Sequence, residues 1–252
     1  QDLNDASRQA TAFKALHSLV LKKCESPELP EILDKVAEAL VTSTDDNTRS
    51  YSIKIWQTYL LEYQLPADRL QAHLNKFLRQ LDYEYIDGRR SVLKVLRAIV
   101  EKFPERILRD HFDLFFYLLS QRVINDEAKE VRDAISRLIA LILQRLPDKQ
   151  PFALNKFVLP WSNCDNPELN ILGIKLISIF VEACPGQLEN NKERITRTLA
   201  IIVKSLDIKS NDCGKKVEDK SAPTLDRLSY HSLRLFKRVL DRGLVGALEN
   251  EY

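Results

Sequence analysis

Residues 87–108 read DGRRSVLKVLRAIVEKFPERIL, and this stretch decides the fold. Asp87 and Gly88 are a typical start signal for a helix. The apolar residues that follow are spaced as on one face of a helix: Val92, Leu93, Leu96, Ile99 and Val100. Pro104 ends this helix and, with Glu105 behind it, opens another, because proline lacks a backbone N–H and suits a first helical turn. The stretch predicts a helix, a short turn and a second helix.

Both start signals recur along the chain. Proline returns after 36, 38, 43 and 38 residues: Pro30, Pro66, Pro104, Pro147 and Pro185. Capping residues ahead of an apolar helical pattern also recur, at Asp45-Asp46-Asn47, Asp87-Gly88, Asn125-Asp126 and Asn166-Pro167. With Asp46, Asp87, Asp126 and Asn166 as markers, the period is 41, 39 and 40 residues. A two-helix repeat of about 40 residues is typical of HEAT and armadillo arrays, in which a lone repeat cannot bury its apolar face. We therefore predict an all-α, HEAT/armadillo-like α-solenoid of about five to six two-helix repeats, with residues 1–252 as a single segment.

Two stretches depart from the average repeat. Residues 207–223 lack an apolar period and contain several lysines, so we predict a flexible Lys-rich insertion within the solenoid, longer than a usual turn. Helical signals resume at Leu225 and continue to about Asp241. The helix around Ile171–Val181 is apolar almost all round, and we expect it in the buried middle layer.

Composition excludes several classes of protein. Lys and Arg number 38 against 36 Asp and Glu, so a nucleic-acid-binding surface, if present, must be local. No apolar run approaches the ~20 residues of a membrane-spanning helix. The four cysteines form no CxxC pair, which argues against a zinc site or disulfide framework and suits a reducing compartment. The chain begins at Gln1 without a signal peptide, and we expect it to be a segment of a longer protein.

The sequence carries no constellation typical of an enzyme. Its six glycines build no phosphate-binding loop, and its four histidines are far apart. We therefore predict no enzymatic activity, no catalytic residue, no cofactor and no metal. HEAT-like DNA glycosylases are the counterexample, with a concave site lined by Trp and Tyr and containing an Asp. Trp56 lies among Ile55, Tyr59 and Leu60, so we expect it in the core.

Two basic stripes are candidate contact surfaces for RNA or a partner. The first lies on the helix that follows Asp87: Arg90, Lys94 and Arg97. The second lies on the last helix and continues from the insertion: Lys215, Lys216, Arg227, His231, Arg234, Lys237, Arg238 and Arg242. Such stripes can bind phosphates, but they also occur as solvated faces with i,i+4 ion pairs. The solvated-face interpretation is favoured for the first stripe, and both stay open for the second.

Residues 83–96, YEYIDGRRSVLKVL, resemble a segment of the "down-regulated in metastasis" family, also called U-three protein twenty. The resemblance covers about fifty residues, Tyr83 to Arg132. It includes four shorter motifs: Lys102-Phe103-Pro104, Leu114-Phe115-Phe116, Ile124-Asn125-Asp126 and Glu130-Val131-Arg132. Elsewhere the chain matches only as a generic HEAT repeat. Members of this family are very large HEAT-repeat proteins of the nucleolar small-subunit processome.

The resemblance implies a non-enzymatic scaffold of the nucleus and nucleolus that is needed for pre-rRNA processing. The implied partners are pre-ribosomal particle proteins, with pre-rRNA or small nucleolar RNA as further candidates, and no membrane or small-molecule substrate. The chain would be a C-terminal-region segment, about a tenth of such a protein. The family supplies no RNA-contact motif to carry over, so the basic stripes come from this sequence alone.

A protein-only HEAT adaptor, transport-receptor-like or adaptin-like, is the alternative; its concave face would bind a peptide or helix. A receptor for basic cargo is usually acidic, and the net charge of +2 speaks mildly against one. A clustered positive surface would favour the scaffold, and an apolar groove or exposed aromatic row would favour the adaptor. A concave pocket with Trp and a carboxylate of perturbed pKa would favour the glycosylase-like enzyme.

Overall fold

The computed structural model describes residues 2–186, 193, 196–201 and 224–244, and its regular structure in these ranges is helical, without strands. The prediction of an all-α fold is confirmed. The chain divides into two compact units, residues 1–115 and 116–252. Continuity of 1–252 as a single solenoid stays a prediction. The predicted insertion at 207–223 lies outside the described residues.

The helices follow the two-helix pattern. Unit 1 contains α1 (Asp2–Leu21), α2 (Leu29–Thr42), α3 (Asp46–Glu62), α4 (Ala67–Gln80), α5 (Ile86–Lys102) and α6 (Glu105–Asp110). The next helix, α7 (Phe112–Asn125), runs across the division. Unit 2 continues with α8 (Lys129–Arg145), a 3-10 turn (Pro147–Lys149), α9 (Gln150–Ala153), a π-helical turn (Leu154–Val158), α10 (Leu159–Ser162), α11 (Pro167–Ala183) and α12 (Thr224–Asp241).

The second helices of successive pairs stack on one another. In unit 1, α3 packs between α1 and α5, while α2 packs against both α3 and α5. In unit 2, α11 packs between α8 and α12 and also contacts α10 and the π-helical turn. This layering is that of a HEAT-like solenoid, in which each repeat buries the apolar face of its neighbour.

The most deeply packed second helix is α11. Every residue from Ile171 to Val181 is buried except Lys175, which is half-buried. The predicted burial of this apolar helix is confirmed, because neighbours cover it on several sides. A lysine in such a helix is unusual, since burial of an ammonium group costs free energy.

One side chain closes the turn before each of the second helices α3, α5, α8 and α11. In α3, α5 and α8 it is an arginine four residues after the N-cap: Arg49, Arg89 and Arg132. Each Nη1 donates to the carbonyl oxygen six residues earlier, at Ser43 (2.6 Å), Tyr83 (2.8 Å) and Asp126 (2.7 Å). In α11 the amide of Asn170 takes this role and donates to the Cys164 carbonyl at 2.8 Å.

These turn-closing residues (Arg49, Arg89, Arg132 and Asn170) recur after 40, 43 and 38 residues. They bind turn carbonyls that the helices cannot pair, and unpaired buried carbonyls are unfavourable. Sequence reasoning missed them, although their spacing carries the same period as the prolines. The recurrence of the repeat was thus visible in these polar residues as well as in the apolar pattern.

The predicted capping residues are confirmed at two of the four starts and need correction at the other two. Asn166 is the N-cap of α11, accepting from the N–H groups of Glu168 and Leu169. Asp45, the first residue of the predicted run 45–47, is the N-cap of α3. Asp87 lies inside the first turn of α5, and Asp126 precedes α8, accepting from the Ala128 N–H at 2.9 Å. Arg89 and Arg132 donate to turn carbonyls at α5 and α8 and so leave these helix starts without a side-chain cap.

The first helix of the pair before α11 is irregular but unbroken. It runs as a 3-10 turn, α9, the π-helical turn and α10. Pro151 and Pro160 disturb its regular hydrogen bonding, because neither can donate a backbone hydrogen bond. The π-helical turn accommodates the change in register.

Substitution of Gly173 by alanine should destabilise unit 2. A Cβ at this position would lie 2.5 Å from Ser162 Cα, so α10 and α11 would have to separate. We expect a loss of about 1–3 kcal/mol in the free energy of unfolding, measured by chemical denaturation. Gly186→Ala is the control, because a Cβ there meets nothing within 4 Å. Equal stability of the two variants would contradict this packing.

Truncation of core side chains on the stacked helices should lower the stability of the fold. Leu96 and Ile139 are both fully buried, and we expect each change to alanine to lower the unfolding free energy by about 2–5 kcal/mol. Leu19, which is 52% exposed, provides the control and should change stability by less than about 0.5 kcal/mol. A loss well below 1 kcal/mol at Leu96 or Ile139 would place them outside the core.

Candidate nucleic-acid interface

The basic stripe of α12 lies partly against α11. Arg227, 8% exposed, forms an ion pair with Glu168, with 3.0 Å between Nη1 and Oε1. Arg238 forms another with Glu182, with 2.7 Å between Nε and Oε1. The first pair joins the starts of the two helices and the second joins their ends, so α11 and α12 run parallel. The two pairs fix this orientation.

Two further bases near the end of α12 are exposed, Lys237 and Arg242. Arg242 makes one long hydrogen bond, 3.4 Å from Nη2 to the Glu182 carbonyl oxygen. Because Arg227 and Arg238 already bind carboxylates, Lys237 and Arg242 are the members of the stripe best placed to reach an external partner. Contact with RNA or a partner stays a prediction for all of them.

Arg234 lies on the same side of α12 as Arg227. Its guanidinium stands 5.5 Å from the centre of the Tyr230 ring, and its Nη1 donates to the Tyr230 hydroxyl at 3.1 Å. Arg227, His231 and Arg234 line one cavity of unit 2, of about 340 Å³. The structure therefore brings together three of the residues predicted from the stripe.

The stripe on α5 has the features of a solvated face. Arg90 lies 3.5 Å from Asp87, one turn away, and Arg97 Nε lies 2.6 Å from Glu101 Oε1. Lys94 between them is exposed. These i,i+3 and i,i+4 pairs are those that the solvated-face interpretation expects. A partner contact at Arg90, Lys94 and Arg97 stays a prediction, and Lys215 and Lys216 lie outside the described residues.

The predicted core position of Trp56 is confirmed. Trp56 is fully buried, with its ring 4.8 Å from that of Phe77 and 5.1 Å from that of His73. It lines no concave base-binding pocket. Within the described ranges, no group of three His, Cys, Asp or Glu side chains is placed to hold a metal ion, and no helix has the length and apolar character to cross a membrane.

A short aromatic row occurs in unit 2. The ring centres of Tyr117 and Trp161 are 6.3 Å apart, those of Trp161 and Phe157 5.4 Å, and those of Phe157 and Phe152 6.0 Å. Tyr117 and Phe152 are exposed. Lys156 lies 4.7 Å from the centre of the Phe152 ring, so this end of the row is also cationic.

Stacked helix pairs with a recurring turn-closing residue define a HEAT-like α-solenoid. U3 small nucleolar RNA-associated protein 20 of Saccharomyces cerevisiae is 30% identical to the chain over 183 residues, which are 72% of this chain and 7% of that protein. The protein of the same name from Schizosaccharomyces pombe is 25% identical over 175 residues, 69% of this chain and 7% of that protein. The chain is similar to these proteins, and the predicted resemblance to this family is confirmed.

The chain spans about 7% of the length of these relatives. No protein-family profile matches it. Among solved structures, a Kap121p mutant covers 88% of the chain at 14% identity with a TM-score of 0.44. A designed armadillo repeat protein in complex with the peptide (KR)4 covers 94% at 12% identity with a TM-score of 0.36. Such low scores add nothing to the fold assignment, which rests on the stacked helices themselves.

Reversal of charge at Arg238 should weaken the attachment of α12, because Arg238→Glu would face the carboxylate of Glu182. We expect a loss of roughly 1 kcal/mol in unfolding free energy, since the pair is partly exposed and screened by water. The exchanged pair, Arg238→Glu with Glu182→Arg, should recover most of that loss. A double-mutant cycle by urea denaturation measures the coupling, and a coupling near zero would show that the pair does not hold the helices together.

Proposed function

We propose that the chain serves as a non-enzymatic scaffold in biogenesis of the small ribosomal subunit, within the nucleolus. The main support for this proposal is the similarity of the chain, over about 70% of its own length, to U3 small nucleolar RNA-associated protein 20 of two yeasts. It would hold pre-ribosomal assembly factors, and pre-rRNA or small nucleolar RNA at its basic surfaces. This role would support pre-rRNA processing.

The packing supports a holding role. Each second helix is fixed by its neighbours, as α3 is by α1 and α5, so surface side chains keep their spacing along the stack. Repeat stacks of this kind offer extended surfaces for partners. Trp56 and Arg227 both have structural roles. Trp56 lies in the core, and Arg227 forms an ion pair with Glu168.

The end of α12 is the best-supported contact surface for RNA. Lys237 and Arg242 are exposed there, close to Arg234 in sequence. Phosphate contacts by such bases give an affinity that falls as salt rises. The nearly neutral net charge of +2 confines this attraction to local patches.

The protein-only adaptor retains one favourable observation, the aromatic row from Tyr117 to Phe152. Exposed aromatic side chains are enriched where proteins bind one another. Similarity to U3 small nucleolar RNA-associated proteins favours the scaffold over a separate transport or coat adaptor. Assembly-factor docking on the row would be part of the scaffold role.

Charge reversal at Lys237 and Arg242 provides the test. We expect Lys237→Glu with Arg242→Glu, placed in the full-length protein, to reduce the U3 RNA and pre-rRNA recovered with it from cells. For the purified chain, each lost contact should flatten the dependence of log affinity for single-stranded RNA on log salt by about 0.7.

Arg137→Glu is the matched control, because Arg137 is an exposed base on α8 of the same unit. It should leave RNA recovery unchanged. A scaffold that docks proteins alone would give two results. The double variant would recover pre-ribosomal proteins normally, and the wild-type chain would not bind RNA. Absence of the wild-type protein from pre-ribosomal particles would contradict the proposed function itself.

A further inference from the structure

The cavity of about 340 Å³ in unit 2 is lined mainly by cationic groups. Its walls come from the end of α7, the start of α8, the middle of α11 and the first half of α12. The basic lining residues are Lys129, Arg132, Lys175, Arg227, His231 and Arg234. Only Glu127 and Asp133 are acidic among the lining residues.

Lys175 distinguishes this cavity from an ordinary surface groove. It is the only charged residue in the stretch from Ile171 to Val181, whose other members are all buried. Its ammonium group forms no hydrogen bond or ion pair with the part of the chain that the structure describes. A half-buried lysine without a partner is unfavourable, since a buried charge needs an opposite charge or hydrogen-bond acceptors.

Neighbouring groups do not neutralise this charge. Burial lowers the pKa of Lys175, and repulsion from Arg234 and Arg238 lowers it further. Asp133 and Glu182 act in the opposite sense, but more weakly. Glu182 already binds Arg238.

Other lining bases are held in place by the protein. Arg132 binds the carbonyl oxygens of Asp126 and Glu127, which are neutral acceptors and leave its positive charge uncompensated. Arg227 is fixed by Glu168. The first turn of α8 adds the partial positive charge of a helix start. The cavity thus presents positioned cations around a lysine for which the described residues supply no hydrogen-bond acceptor.

We propose that this cavity binds a phosphate group, with Lys175 and Arg234 as its principal ligands and His231 as a further donor. A phosphate offers several oxygen acceptors and up to two negative charges, which matches convergent Lys and Arg donors better than a single carboxylate does. The volume holds a phosphate with part of the molecule that carries it. The group can come from an RNA backbone or from a free phosphorylated small molecule, and only the RNA source rests on the proposed function.

Titration of the purified chain with inorganic phosphate and with pyrophosphate, at constant ionic strength, tests the site. Both probes should raise the melting temperature more than acetate or chloride does. Lys175→Met should weaken phosphate affinity by about tenfold or more, the loss of a charge-assisted hydrogen bond. Its melting temperature without phosphate should equal or exceed that of the wild type, because a desolvated charge has been removed.

Arg234→Gln is the second variant, and it should also weaken phosphate binding. Arg137→Gln is the matched control, since this arginine is exposed on α8 of the same unit and does not line the cavity. It should bind phosphate as the wild type does. Stabilisation no greater than that by acetate, or equal affinities of wild type and Lys175→Met, would overturn the proposal.

Competition identifies the source of the phosphate. If a short single-stranded RNA displaces pyrophosphate, and Lys175→Met weakens both, the cavity takes a backbone phosphate. If RNA binds without displacing pyrophosphate, the cavity takes a free phosphorylated molecule. The scaffold function is tested by a separate measurement, the recovery of pre-ribosomal particles with the full-length protein.

Discussion

The hydrogen bond from a turn-closing side chain to the carbonyl six residues earlier is the constraint on which the repeat depends. It pairs polar backbone atoms between two helices and fixes where the second helix begins. With that start fixed, the apolar faces of successive second helices meet in register. The arginine can be replaced by Asn170 because the requirement is for a donor at that position, not for a positive charge.

The bases of the last helix divide into a paired set and an exposed set. Arg227 and Arg238 bind carboxylates at opposite ends of α11 and hold α12 parallel to it. Lys237 and Arg242 stay exposed. All four bases lie along one helix, but only the position of α11 separates the arginines that pair with it from the bases that stay exposed.

Lys175 connects packing with function. Within a helix buried by α8, α10 and α12, a charged side chain contributes nothing to apolar packing and is unfavourable for stability. Arg132 and Arg227, held by their own partners, keep further positive charge at the same cavity. Retention of so many cations around one cavity is consistent with a role in anion binding rather than in stability.

The sequence by itself determined the helical class, the period near 40 residues, the core position of Trp56 and the family resemblance, because these follow from local spacing and motif. It placed helix starts only to within about two residues, since several polar residues precede each helix and local patterning does not select among them. Pro151 and Pro160 were visible, but not the irregular helix in which they lie. Tertiary structure alone decided which bases of α12 pair with α11 and that Lys175 shares a cavity with Arg234, because residues far apart in sequence become neighbours only when the helices stack.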